Sequence, residues 1–195
     1  GTYNGGKAKG TVWFDDVKIA PTPQKALYKR ESKHIVLAVD PKHITVDDKT
    51  VDEWLKALDK AYEAYKELLG VTPYGGAKIR ILTSPGLEPG YWALAGNPIL
   101  WNDNVDVKGL LEKFKTHKDW GFGILHGIGH TFSAGTAVGE GYGAWNWNDE
   151  IFANFRMSYA LDKYEAVISQ NTFYTGDNIA YYKRAYKKCV EKGNL

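Results

Sequence analysis

Apolar positions along the chain alternate between a period near two and a period near 3.6, and the changes of period mark its elements. "KHIVLAVD" (33–40) and "KIRILTS" (78–84) are apolar, β-branched runs, which predicts two buried strands. Between them lies the strongest helical pattern. Thr50 and Glu53 form a capping box, Trp54, Leu55, Leu58, Tyr62, Tyr65 and Leu69 share one face, and Gly70 closes the helix. "SPGLEPGYWALAGNPILWN" reads as loop with a short strand at its end. "DVKGLLEKFKTHKD" reads as a second helix capped by Asp106. "NDEIFANFRMSYALDKY" is a strong helix capped by Asn148, and a last helix follows Asp177 and runs to Gly193. A small sheet early and helices late make the fold class α+β.

Residues 1–20 carry a different pattern. In "GTVWFDDVKI", Val12 and Phe14 alternate, and Val17 and Ile19 resume after Asp15-Asp16, as in a bulged strand. "APTPQ" then supplies a linker over 21–26, so the main domain is expected over 27–195. The closing strand resembles the end of the β-sandwich carbohydrate-binding modules of secreted bacterial glycan-active proteins. An edge strand of the main domain is the other reading, and both stay open. The opening "GTYNGG" reads as the middle of a longer, multidomain chain.

Composition narrows the function classes. With 44% hydrophobic residues, seven Trp and thirteen Tyr, 195 residues suffice for a packed core. Twenty-five basic against 23 acidic residues leave a net charge of +2, too small a field to imply nucleic acid or an anionic membrane as partner. No apolar run has the length of a bilayer span, so no membrane insertion is expected. Cys189 is the single cysteine, so any metal must be held by His and carboxylate.

The candidate chemistry lies in "WGFGILHGIGHTF" (120–132). His126 and His130 stand four apart, which on a helix places them within ~40° of azimuth and ~6 Å of each other. Both imidazoles can therefore reach one ion. A lone pair of this kind arises by chance in many helices, and three features add weight. Gly121, Gly123, Gly127 and Gly129 weaken the helix by about 1 kcal/mol for each interior glycine, which makes sense if the helix is buried with something close against its backbone. Two imidazoles in apolar surroundings need partners. Glu150 then stands in the first turn of the strong helix that follows. Taken alone, Glu150 is a carboxylate at a helix N-terminus; with the two histidines it completes a His126–x3–His130–x19–Glu150 spacing.

That spacing is the one found in the gluzincin zinc metallopeptidases. "DWGFGILHGIGHTF" resembles the zinc helix of the enhancin-like, mucin-degrading members, "ALAGNPILWN" is similar to a stretch upstream of it there, and "NDEIFANF" is similar to the third-ligand helix. The resemblance covers about 91–160, at most half of the chain. It implies a gluzincin-like domain with a small mixed sheet, a mainly helical C-terminal part and two helices flanking a Zn2+ site. The implied ligands are His126, His130 and Glu150, with Asn154, one turn on, as a partner behind them. It also implies a secreted or cell-surface bacterial protein acting on protein or glycoprotein substrates.

One residue departs from the family pattern. Gly127 stands where the family has the glutamate that takes a proton from the attacking water. Zinc binding does not need that residue; catalysis does, by ~10²–10⁴ in rate. A base-deficient metal site is the first reading, natural or introduced. Glu140 and Asp149 are the carboxylates that would substitute, and Tyr142 offers a phenol donor to a developing oxyanion. The alternative function is a non-catalytic module that binds glycoprotein or glycan, with Tyr91, Trp92, Trp101, Tyr142, Trp145 and Trp147 as candidate sugar-stacking surfaces, although core packing is the ordinary role of such residues. His34, His43 and His117 are assigned to no site.

Overall fold

The structure, a computed structural model, describes residues 26–84, 87, 93–102, 107–134, 149–170 and 173–174. Residues 1–25, both caps at Asp106 and Asn148, and the helix expected after Asp177 lie outside the described residues, as do Tyr91, Trp92, Glu140, Tyr142, Trp145 and Trp147.

The described fold is mixed α and β. Strands β1 (Tyr28–Glu31), β2 (Ile35–Val39), β3 (Ile79–Ser84), β4 (Ala93–Leu94) and β5 (Ile99–Asn102) form one sheet in the order β1-β2-β3-β5-β4. The three inner strands are parallel, and β1 and β4 are antiparallel to their neighbours. Helix α1 (Asp48–Leu69) makes the crossover from β2 to β3. Helices α2 (Val107–His117), α3 (Phe122–Ala134) and α4 (Asp149–Tyr164) follow the sheet, and a short hairpin of β6 (Ser169–Gln170) and β7 (Phe173–Tyr174) comes last among the described residues.

Register explains which side of the sheet is covered. Ile35 pairs with Ile79, Leu37 with Ile81, and Ile81 with Ile99, and all five are buried in one core with Trp54, Leu55, Leu58 and Tyr62 of α1. Alternate residues share a face, so Arg80 and Leu82 look the other way and are more exposed. Trp101 is 3% exposed and belongs to this core, which corrects its assignment as a sugar-stacking surface. The core role satisfies the large apolar area of an indole better than a loop does.

Helix α1 starts earlier than the capping box suggests. Asp47, not Thr50, is the N-cap: its carboxylate accepts the Thr50 N–H at 2.7 Å, and Thr50 is itself helical. At the other end Gly70 adopts φ 70° and donates to the Lys66 carbonyl, as a left-handed cap does.

Strand β1, "YKRE", has no apolar alternation and is held by α1. Tyr28 donates to Asp48 at 2.6 Å, Arg30 grips Asp52 through Nε and Nη2 at 3.0 and 2.6 Å, and Asp59 accepts from Ser32 Oγ and from the backbone N–H of Lys33 and His34. One turn further along α1, Glu63 accepts from Lys33 and His34, whose ring stacks on Tyr62 at 4.0 Å. The bonds from Lys33 and then His34 hold the Glu63 carboxyl down from 4.5 to about 2. A carboxyl depressed on folding adds stability that is complete above pH 4.5 and is lost as pH falls toward 2. Thermal unfolding followed between pH 5 and pH 2.5 is therefore expected to lose less on acidification in Glu63→Gln than in the parent. Equal losses would show that this contact does not couple to folding.

Candidate metal centre

The two histidines are positioned by the way α3 is anchored. Before the helix, Gly121 has φ +88° and donates its N–H to the buried Asp119 carboxylate at 2.8 Å. A Cβ there would lie 2.4 Å from Leu110 Cδ1, so only glycine fits this turn. Gly121 thus serves the turn, not the helix interior expected of it. Trp120 donates its N–H to Val167 at 2.9 Å and accepts from the Trp54 indole at 3.0 Å. Within α3, the buried Tyr65 hydroxyl donates to the Leu125 carbonyl at 3.1 Å, and burial raises its pKa.

Helix α4 crosses α3 very closely. A Cβ on Gly129 would stand 3.0 Å from both the Cα and the carbonyl oxygen of Ala153. The glycine allows the two backbones to come close at this point, three residues after His126 and immediately before His130. Arg156, 1% exposed, reinforces the crossing by donating to the Gly129 carbonyl at 2.7 Å and to Ser133 Oγ at 2.6 Å. Sequence reasoning passed over this arginine. A single cation inside the apolar run "IFANFRMSYAL" was the available signal, since such a residue is seldom buried without a set of acceptors.

Against this frame the imidazoles converge. His126 Nε2 and His130 Nε2 are 2.9 Å apart with the rings at 90°. His126 Nδ1 lies 2.9 Å from Asn154 Oδ1 of α4, and Phe122 lies nearly parallel to the His126 ring at 5.6 Å. An amide oxygen only accepts, so His126 carries its proton on Nδ1 and leaves Nε2 as the bare nitrogen. His130 Nε2 is then the donor of the pair. Two nitrogens that bind one zinc at ~2.0–2.1 Å in tetrahedral geometry lie roughly 3.3 Å apart, so an ion in place of that shared proton needs a shift of only a few tenths of an ångström.

Position 127 faces the sheet. A Cβ on Gly127 would meet the Ile99 side chain of β5 at 3.6 and 3.8 Å, ordinary contact distances, so a Cβ fits there. Glu150 and Asp149 stand in the first turn of α4, with Glu150 one turn before Asn154 on the same side of the helix; their side chains lie outside the described residues. Among the described residues no set of three His, Cys, Asp or Glu comes together. Of the unassigned histidines, His34 is engaged by Glu63 and Tyr62, His43 is buried after β2, and His117 ends α2 with Nδ1 2.7 Å from Thr116 Oγ1.

No protein-family model matches the sequence, and no curated protein matches it at a significant level.

Two substitutions test this geometry. Gly129→Ala forces the α3–α4 crossing apart and is expected to destabilise the fold by about 1–3 kcal/mol in denaturant unfolding; an unchanged midpoint would mean that the crossing opens freely. Asn154→Ala is expected to weaken metal binding by ~10–100-fold while the fold is kept, with Asn154→Asp retaining affinity, as read by competition with a chelating dye. Equal affinities in all three proteins would remove Asn154 from the site.

Proposed function

We propose that this is a gluzincin-like zinc metallopeptidase domain, from a secreted or cell-surface bacterial protein, directed at protein or glycoprotein substrates. The observation that carries the reading is the meeting of two Nε2 atoms at 2.9 Å on a buried helix, one of them oriented from behind by Asn154. The donor set suits zinc, with two converging imidazole nitrogens and an amide oxygen behind one of the rings. Glu150 is the third ligand in this reading, because α4 already brings Asn154 to His126 and Glu150 stands one turn away on the same side. His126, His130 and Glu150 would hold the zinc ion, which when bound would supply activation of a water and polarisation of a peptide carbonyl.

Gly127 bears on what the chain itself can do. It follows the first histidine and presents no group that accepts a proton, so the domain binds substrate and metal but turns over slowly. Positioned proton transfer supplies ~10²–10⁴ in rate, which is the size of the deficit. The same residue favours the second reading, a pseudoenzyme that binds glycoprotein or glycan without cleaving it.

Metal analysis of the purified protein is expected to find one zinc per chain, lost in His126→Ala, His130→Ala and Glu150→Ala. Metal-free wild-type protein at neutral pH, after exposure to zinc, would end the proposal. Gly127→Glu has room for its Cβ beside Ile99 and is expected to raise cleavage of a mucin-type glycoprotein by ~10²–10⁴. Retained zinc with no gain, alongside glycoprotein binding, would select the pseudoenzyme.

A further inference from the structure

A second, independent feature lies at the opposite end of the sheet. Strand β1 is the sheet edge, and among the described residues no strand pairs with its outer side. The direction of its backbone groups follows from the hairpin. Ser32 donates its N–H to the Ile35 carbonyl at 2.9 Å across the turn, and bonded and non-bonded pairs alternate along an antiparallel ladder. Arg30–Leu37 and Tyr28–Val39 are thus the bonded pairs, while the N–H and C=O groups of Lys29 and Glu31 point outward.

Alongside this edge runs a groove of about 660 Å³, lined by residues 29–33 of β1 and its turn and by Asp52, Lys56 and Asp59 of α1. Its charges divide cleanly. Asp52 is gripped by Arg30, Asp59 caps the hairpin turn, Lys33 is paired with Glu63, and Glu31 with Lys78 at 3.2 Å. Lys29 and Lys56 are exposed and have no ion partner among the described residues. Two uncommitted cations therefore flank a row of outward backbone donors and acceptors, with a helix as the second wall.

We infer that this groove binds an acidic peptide in extended conformation, which adds a strand to β1 and places carboxylates against Lys29 and Lys56. Backbone bonds at residues 29 and 31 supply the pairing, and the two ammonium groups supply the choice of sign. The groove shares no lining residue with the histidine centre, so it stands or falls separately from the zinc reading.

Fluorescence anisotropy at low salt tests it on the whole chain, with the labelled peptide Val-Glu-Glu-Val-Val-Glu-Glu-Val, which presents carboxylates on both faces of an added strand, as probe and its Val-Lys counterpart as control. The acidic peptide is expected to bind and the basic one not, with affinity falling as salt is added. Lys29→Glu/Lys56→Glu is expected to weaken the acidic peptide by at least about tenfold and to admit the basic one. Glu31→Pro removes an outward N–H and leaves the β1–β2 ladder intact; it is expected to weaken binding by about tenfold in protein with unchanged circular dichroism. Acidic-peptide affinity that is undetectable, or equal in the parent and both variants, would overturn the inference. Affinity that tightens about tenfold when Asp15 and Asp16 become Asn would give the groove to the chain's own N-terminal segment, and would equally overturn a partner in trans.

Discussion

Contact between the backbones of α3 and α4 at Gly129 and Ala153 is the constraint on which the rest of the candidate centre depends. A Cβ on Gly129 would stand only 3.0 Å from Ala153, so the absence of a side chain is what allows the close crossing. At that crossing Asn154 Oδ1 lies 2.9 Å from His126 Nδ1. Once Asn154 fixes the proton on Nδ1, the opposite nitrogen turns its lone pair toward His130. Packing thus sets a tautomer, and the tautomer sets the chemistry open to the pair.

The surrounding contacts serve the same end from other directions. Arg156 ties α4 to the carbonyl of Gly129 and to Ser133, Tyr65 of α1 holds the Leu125 carbonyl, and Trp54 holds the segment just before the helix through the Trp120 carbonyl. Ile99 of β5 forms the wall opposite position 127. Helix α3 has poor intrinsic propensity, with glycine at three of its thirteen positions. Tertiary contacts from α1, α4 and the sheet compensate, and at Gly129 the missing side chain lets α4 come close.

Much of this architecture was legible in the sequence because it is written in periodicity. The apolar runs of β2 and β3, the face of α1 with its Gly70 cap, and the four-residue step between His126 and His130 all follow from local spacing. What escaped notice depends on partners distant in the chain. The polar "YKRE" of β1 pairs with β2, and Asp48 and Asp52, some twenty residues on, hold it by engaging Tyr28 and Arg30. Asp47 displaced Thr50 as the cap because either oxygen-bearing side chain suits that role and only the backbone geometry decides. Trp101 reads as a candidate sugar-stacking surface until its burial beside Ile99 and its register with Thr83 place it in the core on an inner strand. Gly121 looks like one more helical glycine until its positive φ and Leu110 show that it makes the turn.

The pairing of His126 and His130 behind an amide acceptor is the physical claim from which the proposed chemistry grows. A crystal of the wild-type protein grown with zinc, with anomalous data collected on both sides of the zinc edge, addresses it directly. The account expects one anomalous peak at ~2.0–2.1 Å from Nε2 of both histidines, with the Glu150 carboxylate as its third protein ligand. A peak elsewhere, or a zinc-soaked crystal in which the two nitrogens still share a proton and no metal, would contradict it.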